Sequence, residues 1–160
     1  MKSDTAEETV EIKEEEKSHT ESTSAYDPYF ENDSLISVLK SNLEKIALDS
    51  KFKVSKKPIK NRHVDDLMDT IITRTFNSTE LTSYKAESEE WVNRAKIGDV
   101  DFELSDFIKI GAKEYVVEKS LAKGIHNDTL KIGNLEQTAI FSLIFESGTL
   151  KSIEYNGYMD

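Results

Sequence analysis

The sequence predicts an α+β fold, an antiparallel sheet with two helices packed on one face. Two observations carry that expectation. Apolar residues recur at three- and four-residue spacing in two stretches, and short β-branched or alternating runs fill the rest, separated by turn signals. The order is helix then strands, and again helix then strands. A diverged tandem of two helix-plus-meander units would give the same order, and no identity between the halves decides between the two.

Asp33 or Ser34 is placed to cap the first helix. Leu35, Val38, Leu39, Leu43 and Ile46 form its apolar stripe over residues 34–48. Phe52 and Val54 alternate with lysines in a short strand expected to end near Pro58, because proline lacks the N–H a ladder needs. Residues 69–76 (DTIITRTF) are rich in β-branched side chains and predict a strand. Asn77-Ser78 signals a turn, and residues 81–86 form the return strand.

Residues 87–97 fit two patterns. Ser88 could cap a helix with Glu89 and Glu90 in its first turn, but Trp91 stands where a capping box needs Glu or Gln. Trp91, Asn93, Ala95 and Ile97 also fit one face of a strand, and strand is the preferred reading. Phe102, Leu104, Phe107, Ile108 and Ile110 add apolar supply. A second helix is expected over Ala112–Lys123, with Val116, Val117 and Leu121 inward and Gly124 as its stop. Three strands then follow. Residues 129–132 turn at Gly133-Asn134, a hairpin dipeptide. Residues 135–145 place Ala139, Phe141, Leu143 and Phe145 on one face, and their other face is apolar enough for an interior position. Glu146-Ser147-Gly148 turns the chain into residues 149–155.

Composition divides the 160 residues into a tail and one domain. Residues 1–25 hold eight acidic residues and three lysines, with no aromatic residue, glycine or proline. Such a segment cannot bury enough apolar surface to offset its ordering entropy, so a disordered acidic tail is expected there, followed by a single α+β domain over 26–160. The formal net charge is -10, which argues against a general nucleic-acid binder and against electrostatic binding to anionic membranes. No apolar run is long enough for a transmembrane span. With no cysteine there is no disulfide, thiolate zinc site or cysteine nucleophile.

Few constellations suggest chemistry. His63, Asp65, Asp66 and Asp69 form the densest polar cluster outside the tail. A histidine beside carboxylates could bind a divalent metal or act as a base. Adjacent Asp65 and Asp66 point apart on any regular element, however, so a solvated loop with an Asx-turn is the preferred reading. His126-Asn127-Asp128 marks a second loop, which nothing in the sequence brings near His63. His19 falls in the tail. No Gly-x-Ser-x-Gly elbow or clustered phosphate-loop glycines occur. Asn32, Asn77 and Asn127 head three glycosylation-type tripeptides; about one is expected by chance at this composition, and the excess says little. Tyr26, Tyr29 and Phe30, and Tyr155, Asn156, Gly157 and Tyr158, predict termini packed onto the domain. The alternative for these residues, and for Trp91, is an aromatic contact patch for a protein or glycan.

The stretch Ile108-Lys109-Ile110-Gly111-Ala112-Lys113-Glu114-Tyr115-Val116, with the closing run Phe141-Ser142-Leu143-Ile144-Phe145-Glu146-Ser147-Gly148-Thr149-Leu150-Lys151-Ser152-Ile153, resembles small bacterial envelope lipoproteins. Outer-membrane-assembly lipoproteins of the SmpA/OmlA type and the β-lactamase-inhibitory-protein-like fold have similar patterns, and small lipoproteins of the Bacteroidetes look closest. The resemblance covers residues 108–155. It implies a non-enzymatic binding module in the bacterial cell envelope, extracytoplasmic and the soluble part of a lipoprotein whose lipid anchor belongs to the precursor. It carries over no catalytic, cofactor or metal residue. The alternative is a cytosolic immunity-type or inhibitor protein, steered to a basic protein partner by its acidic charge. A small hydrolase using His63 or His126 is a third reading.

Overall fold

The computed structural model describes residues 28–157; the tail, His19, Tyr26 and Tyr158 lie outside the described residues. The elements run β1 (Tyr29–Glu31), α1 (Asp33–Ile46), β2 (Lys53–Lys60), β3 (Met68–Phe76), β4 (Thr79–Lys85), β5 (Glu90–Ile97), α2 (Glu114–Leu121), β6 (Thr129–Gly133), β7 (Ala139–Glu146) and β8 (Thr149–Gly157). These strands form one eight-stranded sheet in the order β1-β6-β7-β8-β5-β4-β3-β2. Only β1–β6 is parallel. A mostly antiparallel sheet with two helices is the α+β class the sequence predicts.

The first helix is capped one residue earlier than expected. Asn32 is extended, and its Oδ1 accepts the Leu35 N–H at 2.9 Å. Ile36, Leu39 and Leu43 make the buried stripe, while Val38 is half exposed. Three polar contacts hold α1 in place. Glu44 Oε1 accepts the Val92 N–H of β5 at 2.8 Å. Asn42 Nδ2 donates to Leu104 O at 2.9 Å, and Asp33 Oδ1 accepts the Leu135 N–H at 3.0 Å.

The strand expected to stop near Pro58 runs through it to Lys60. Proline is tolerated there because β2 is an edge strand, paired only to β3, with one side of its backbone unpaired. The segment at 87–97 is a strand, as preferred, but not with the expected single face. The β4–β5 register shifts between Thr82 and Ser83, so Thr82 faces Arg94 and Ser83 faces Val92. The extra residue, Asn93, is a β-bulge. It buries Val92 beside Ala95 and Ile97 on the core side and turns Trp91 to the opposite face, 37% exposed.

Residues 98–113 hold no strand. They form a loop that nevertheless buries Phe102, Leu104 and Ile108. The second helix is shorter than the apolar pattern suggests. Of its expected inner residues Val117 is fully buried, Leu121 packs partly against the core and Val116 is 38% exposed. It ends at Ala122, which takes the left-handed conformation (φ 50°) expected of a glycine; Gly124 is not the stop. Gly133-Asn134 is likewise not a two-residue turn. Gly133 is the last residue of β6, and Asn134 organises the five-residue connection, its Oδ1 accepting the N–H groups of Thr138 and Ala139. Ser147-Gly148 is a two-residue hairpin with φ of 51° and 74°, the positive values that match strand twist.

β7 is interior, between β6 and β8, as expected. Ala139, Phe141, Leu143 and Phe145 are buried along it. They join Leu39, Leu43, Val117, Leu81, Leu130, Leu150 and Ile153 in one core cluster.

β1 was not legible in the sequence. Three residues pair with β6, and Tyr29 lies over Gly133, its hydroxyl donating to Asn134 O. A Cβ at position 133 would lie 2.6 Å from Tyr29 Cζ. Gly133→Ala should therefore lower stability by about 1–3 kcal/mol in urea unfolding. Adding Tyr29→Ala should make the double variant less destabilised than the sum of the singles; strict additivity would count against the contact.

Tyr155 is 3% exposed and its ring lies 4.6 Å from that of Phe141. Burial, with Glu44 nearby, pushes its phenol up to about 12. The folded value lies above the unfolded one, so this stabilisation is complete below pH ~10 and is lost as pH rises towards ~12. Tyr155→Phe should flatten that alkaline decline in thermal unfolding. An unchanged pH profile would assign the decline to other groups.

Candidate interaction surface

Strand alternation sorts the sheet into a buried and an open face. Across β4, β5 and β8 the pairs Leu81–Ala95–Tyr155 point into the core. The neighbouring rows, Thr82–Arg94–Asn156 and Glu80–Lys96–Glu154, point the other way. Arg94, Lys96 and Asn156 are exposed. Opposed residues on adjacent strands have Cβ atoms about 5 Å apart, so the second row alternates negative, positive and negative charge across three strands.

A cleft of about 510 Å³ lies on this face. Thr75, Thr82, Arg94, Lys96, Glu154 and Asn156 line it. Arg94 offers a planar fork of donors, Lys96 a point charge, and Glu154 and the threonine hydroxyls offer acceptors. No histidine lines the cleft. Such a set can hold and orient polar groups.

The cleft has a braced rim and floor. At the β3–β4 turn Asn77 is left-handed (φ 46°). Asp99 accepts from the Ser78 N–H (3.1 Å), the Ser78 hydroxyl (3.2 Å) and the Thr79 hydroxyl (2.6 Å), while Thr79 Oγ1 accepts the Gly98 N–H (3.1 Å). On the opposite side of the same strands the half-buried Arg74 donates to Ser83 Oγ at 3.0 Å and pairs with Glu90 at 2.8 Å, tying β3, β4 and β5 together.

Further along the open face Tyr84 and Trp91 are opposed, with ring centroids 5.1 Å apart. Below them Asp69 is 2% exposed. Its Oδ2 accepts from Asn61 Nδ2 at 2.7 Å and from the Tyr84 hydroxyl. Its Oδ1 has no hydrogen-bond partner among the described residues. The hydrogen bond to Asp69 raises the Tyr84 pKa, burial adds to the rise, and Arg62 opposes it.

The sequence cluster around His63 therefore divides. His63, Asp65 and Asp66 are exposed on the β2–β3 loop, and Asp66 is left-handed (φ 65°). The Asx-type turn is present but belongs to Asn61, whose Oδ1 accepts the N–H groups of His63 and Val64. Only Asp69 is drawn inward. His126 precedes β6, and four strands separate β6 from β3 in the sheet, so the structure does not bring the two histidines onto neighbouring elements. No group of three or more His, Asp or Glu residues that could hold a metal ion occurs among the described residues.

The terminal aromatics that are described, Tyr29, Phe30 and Tyr155, pack onto the domain, as preferred from the sequence. Trp91 remains on the open face. The sequence reading did not single out Asp69 with Tyr84, or Arg94 with Lys96. Period-two alternation from Ala95 could have placed the latter pair; nothing local signals that Asn61 folds back onto Asp69.

No protein-family model, curated protein or solved structure matches the chain. No helix of the described residues is long and apolar enough to cross a membrane.

Asp69→Asn should lower the Tyr84 pKa towards ~10, because the hydroxyl loses the carboxylate that accepts its proton and a neutral amide no longer repels the phenolate. Phenolate absorbance during a pH titration checks this, with Tyr84→Phe identifying the transition. An unmoved transition would show that Asp69 does not control the tyrosine.

Proposed function

We propose that this chain is a non-enzymatic binding module whose contact surface is the open face of the sheet around Arg94 and Lys96. The carrying observation is the 510 Å³ cleft, where cationic, anionic and hydroxyl side chains converge on rigid strands. Clefts with a few placed polar groups are the default binding-site candidates in a domain. A polar partner, a protein segment or a glycan bearing hydroxyl and carboxylate groups, suits this donor and acceptor set.

The envelope assignment belongs to the same proposal. The resemblance of residues 108–155 supports an exported bacterial lipoprotein, extracytoplasmic and anchored through its precursor. The element order supports a diverged tandem: α1 precedes the β2–β3–β4–β5 meander, α2 precedes the shorter β6–β7–β8 meander, and the last strands of the two meanders pair. Leu39 and Leu43 of α1 share one core with Val117 of α2, which supports both helices on one face.

Backbone amide NMR tests the binding reading. Uniformly labelled protein is titrated with three probes: a soluble peptidoglycan fragment, an acidic peptide and a basic peptide. We expect one of the first two to shift the Thr82, Arg94 and Lys96 amides, with at least about tenfold weaker binding in Arg94→Glu/Lys96→Glu. Shifts confined to another face, or silence with all three, would overturn the assignment of this surface. Response to the basic peptide alone would favour the inhibitor-type reading.

A further inference from the structure

The acidic chain carries one concentrated basic strip. Lys51, Lys53, Lys56, Lys57, Lys60 and Arg62 are six of its 21 basic residues, and Lys51–His63 contains no acidic residue. The structure places Lys53, Lys56, Lys57 and Lys60 on β2, the edge strand farthest from β1, with Lys51 and Arg62 just beyond its two ends. Every residue of β2 except Ile59 is exposed. Lys53, Lys56, Lys57 and Lys60 have no ion-pair partner among the described residues. Lysines and a proline on an edge deter strand-to-strand aggregation. That role asks for charge on the edge but not for charge of a single sign, so a cationic run with no intervening acid needs a further explanation.

The complementary charge lies in the same chain. Seven of the eight acidic residues of the tail fall between Asp4 and Glu16. The described chain begins at Pro28, just before β1, at the opposite edge of the sheet from β2. Seven inter-strand steps of about 4.8 Å put the two edges roughly 34 Å apart. Twelve residues separate Glu16 from Pro28 and span at most about 40 Å when extended. Residues Asp4–Glu16 are therefore the part of the tail with enough chain to reach β2, while Glu21 falls short.

We propose that residues Asp4–Glu16 dock electrostatically on the β2 strip of the same molecule. Tethering gives the segment an effective concentration in the millimolar range, so it outcompetes dilute external anions. Its contacts are between exposed charges and fade with salt. The docked tail shields the basic strip of β2, and a stronger polyanion must displace it to bind there.

The test uses the full chain. Because the sequence has no cysteine, Thr9→Cys accepts a single nitroxide label. At about 10 mM salt the amide signals of Lys53–Lys60 should broaden, and at about 1 M salt they should recover. Broadening should also vanish in Lys53→Gln/Lys56→Gln/Lys57→Gln/Lys60→Gln. Unbroadened β2 signals, broadening spread evenly over the surface, or broadening that survives the lysine substitutions would overturn the proposal. So would broadening in a mixture of isotope-labelled wild type with unlabelled, spin-labelled protein, since that places the tail on a second copy.

A glutamate dodecamer supplies the second measurement. It should bind about tenfold more tightly to Glu7→Gln/Glu8→Gln/Glu14→Gln/Glu15→Gln/Glu16→Gln than to wild type. Equal affinity would show an open strip. Anionic phosphatidylglycerol vesicles binding both proteins equally through β2 would also overturn the docking.

Discussion

The pairing of β5 with β8 is the contact on which the rest of the sheet depends. Arg94 faces Asn156, Ala95 faces Tyr155, Lys96 faces Glu154 and Ile97 faces Ile153. This register joins the strands that follow α1 to the strands that follow α2. It sends Ala95, Ile97, Ile153 and Tyr155 into one core, and it leaves Arg94, Lys96, Glu154 and Asn156 together on the open face. A slip of one residue would exchange the two sets. Burial of the apolar set therefore holds the polar set in place, and the cleft follows from the core.

The β-bulge at Asn93 serves both faces. It lets Val92 and Ala95 both reach the core despite their odd spacing, and it presents Trp91 to Tyr84 on the open side. The Val92 N–H is then met by Glu44 of α1, so the helix is fastened at the irregular point of the sheet. Asn32 and Asn134 act similarly at the other edge. Each uses a short side chain to satisfy backbone groups that a helix start or a five-residue connection leaves open.

Charge is distributed as unevenly as apolarity. The core half of the sheet carries an alternating charged row across its open face, while β2 extends beyond the core as a basic strip with little burial of its own. Such an edge contributes little to stability through apolar contacts. Its composition is therefore free to answer to electrostatics, and the proposed docking of the acidic tail relates it to the other charged extreme of the chain.

The sequence by itself determined the α+β class, α1, β3, the β7 alternation, the β8 return strand and the Ser147-Gly148 turn. In those places local preference and burial demand the same structure. At β5 the sequence favoured a strand over a helix, but did not fix which residues face the core, because a bulge in the pairing with β4 moves the faces without a local mark. The early end set at Pro58, the stop set at Gly124 and the turn set at Gly133-Asn134 failed for one reason. Each reads a residue's intrinsic preference where neighbours overrule it: an unpaired edge accepts Pro58, backbone hydrogen bonds to Glu118 and Lys119 hold Ala122 in a left-handed cap, and Tyr29 claims the space above Gly133. Only the tertiary structure decided that β1 exists, that Asp69 leaves the loop cluster for Asn61 and Tyr84, and that Arg94 and Lys96 share a cleft with Glu154. Those arrangements bring together residues 8 to 105 positions apart in the chain. Their free energy comes from contacts that no short window of sequence contains.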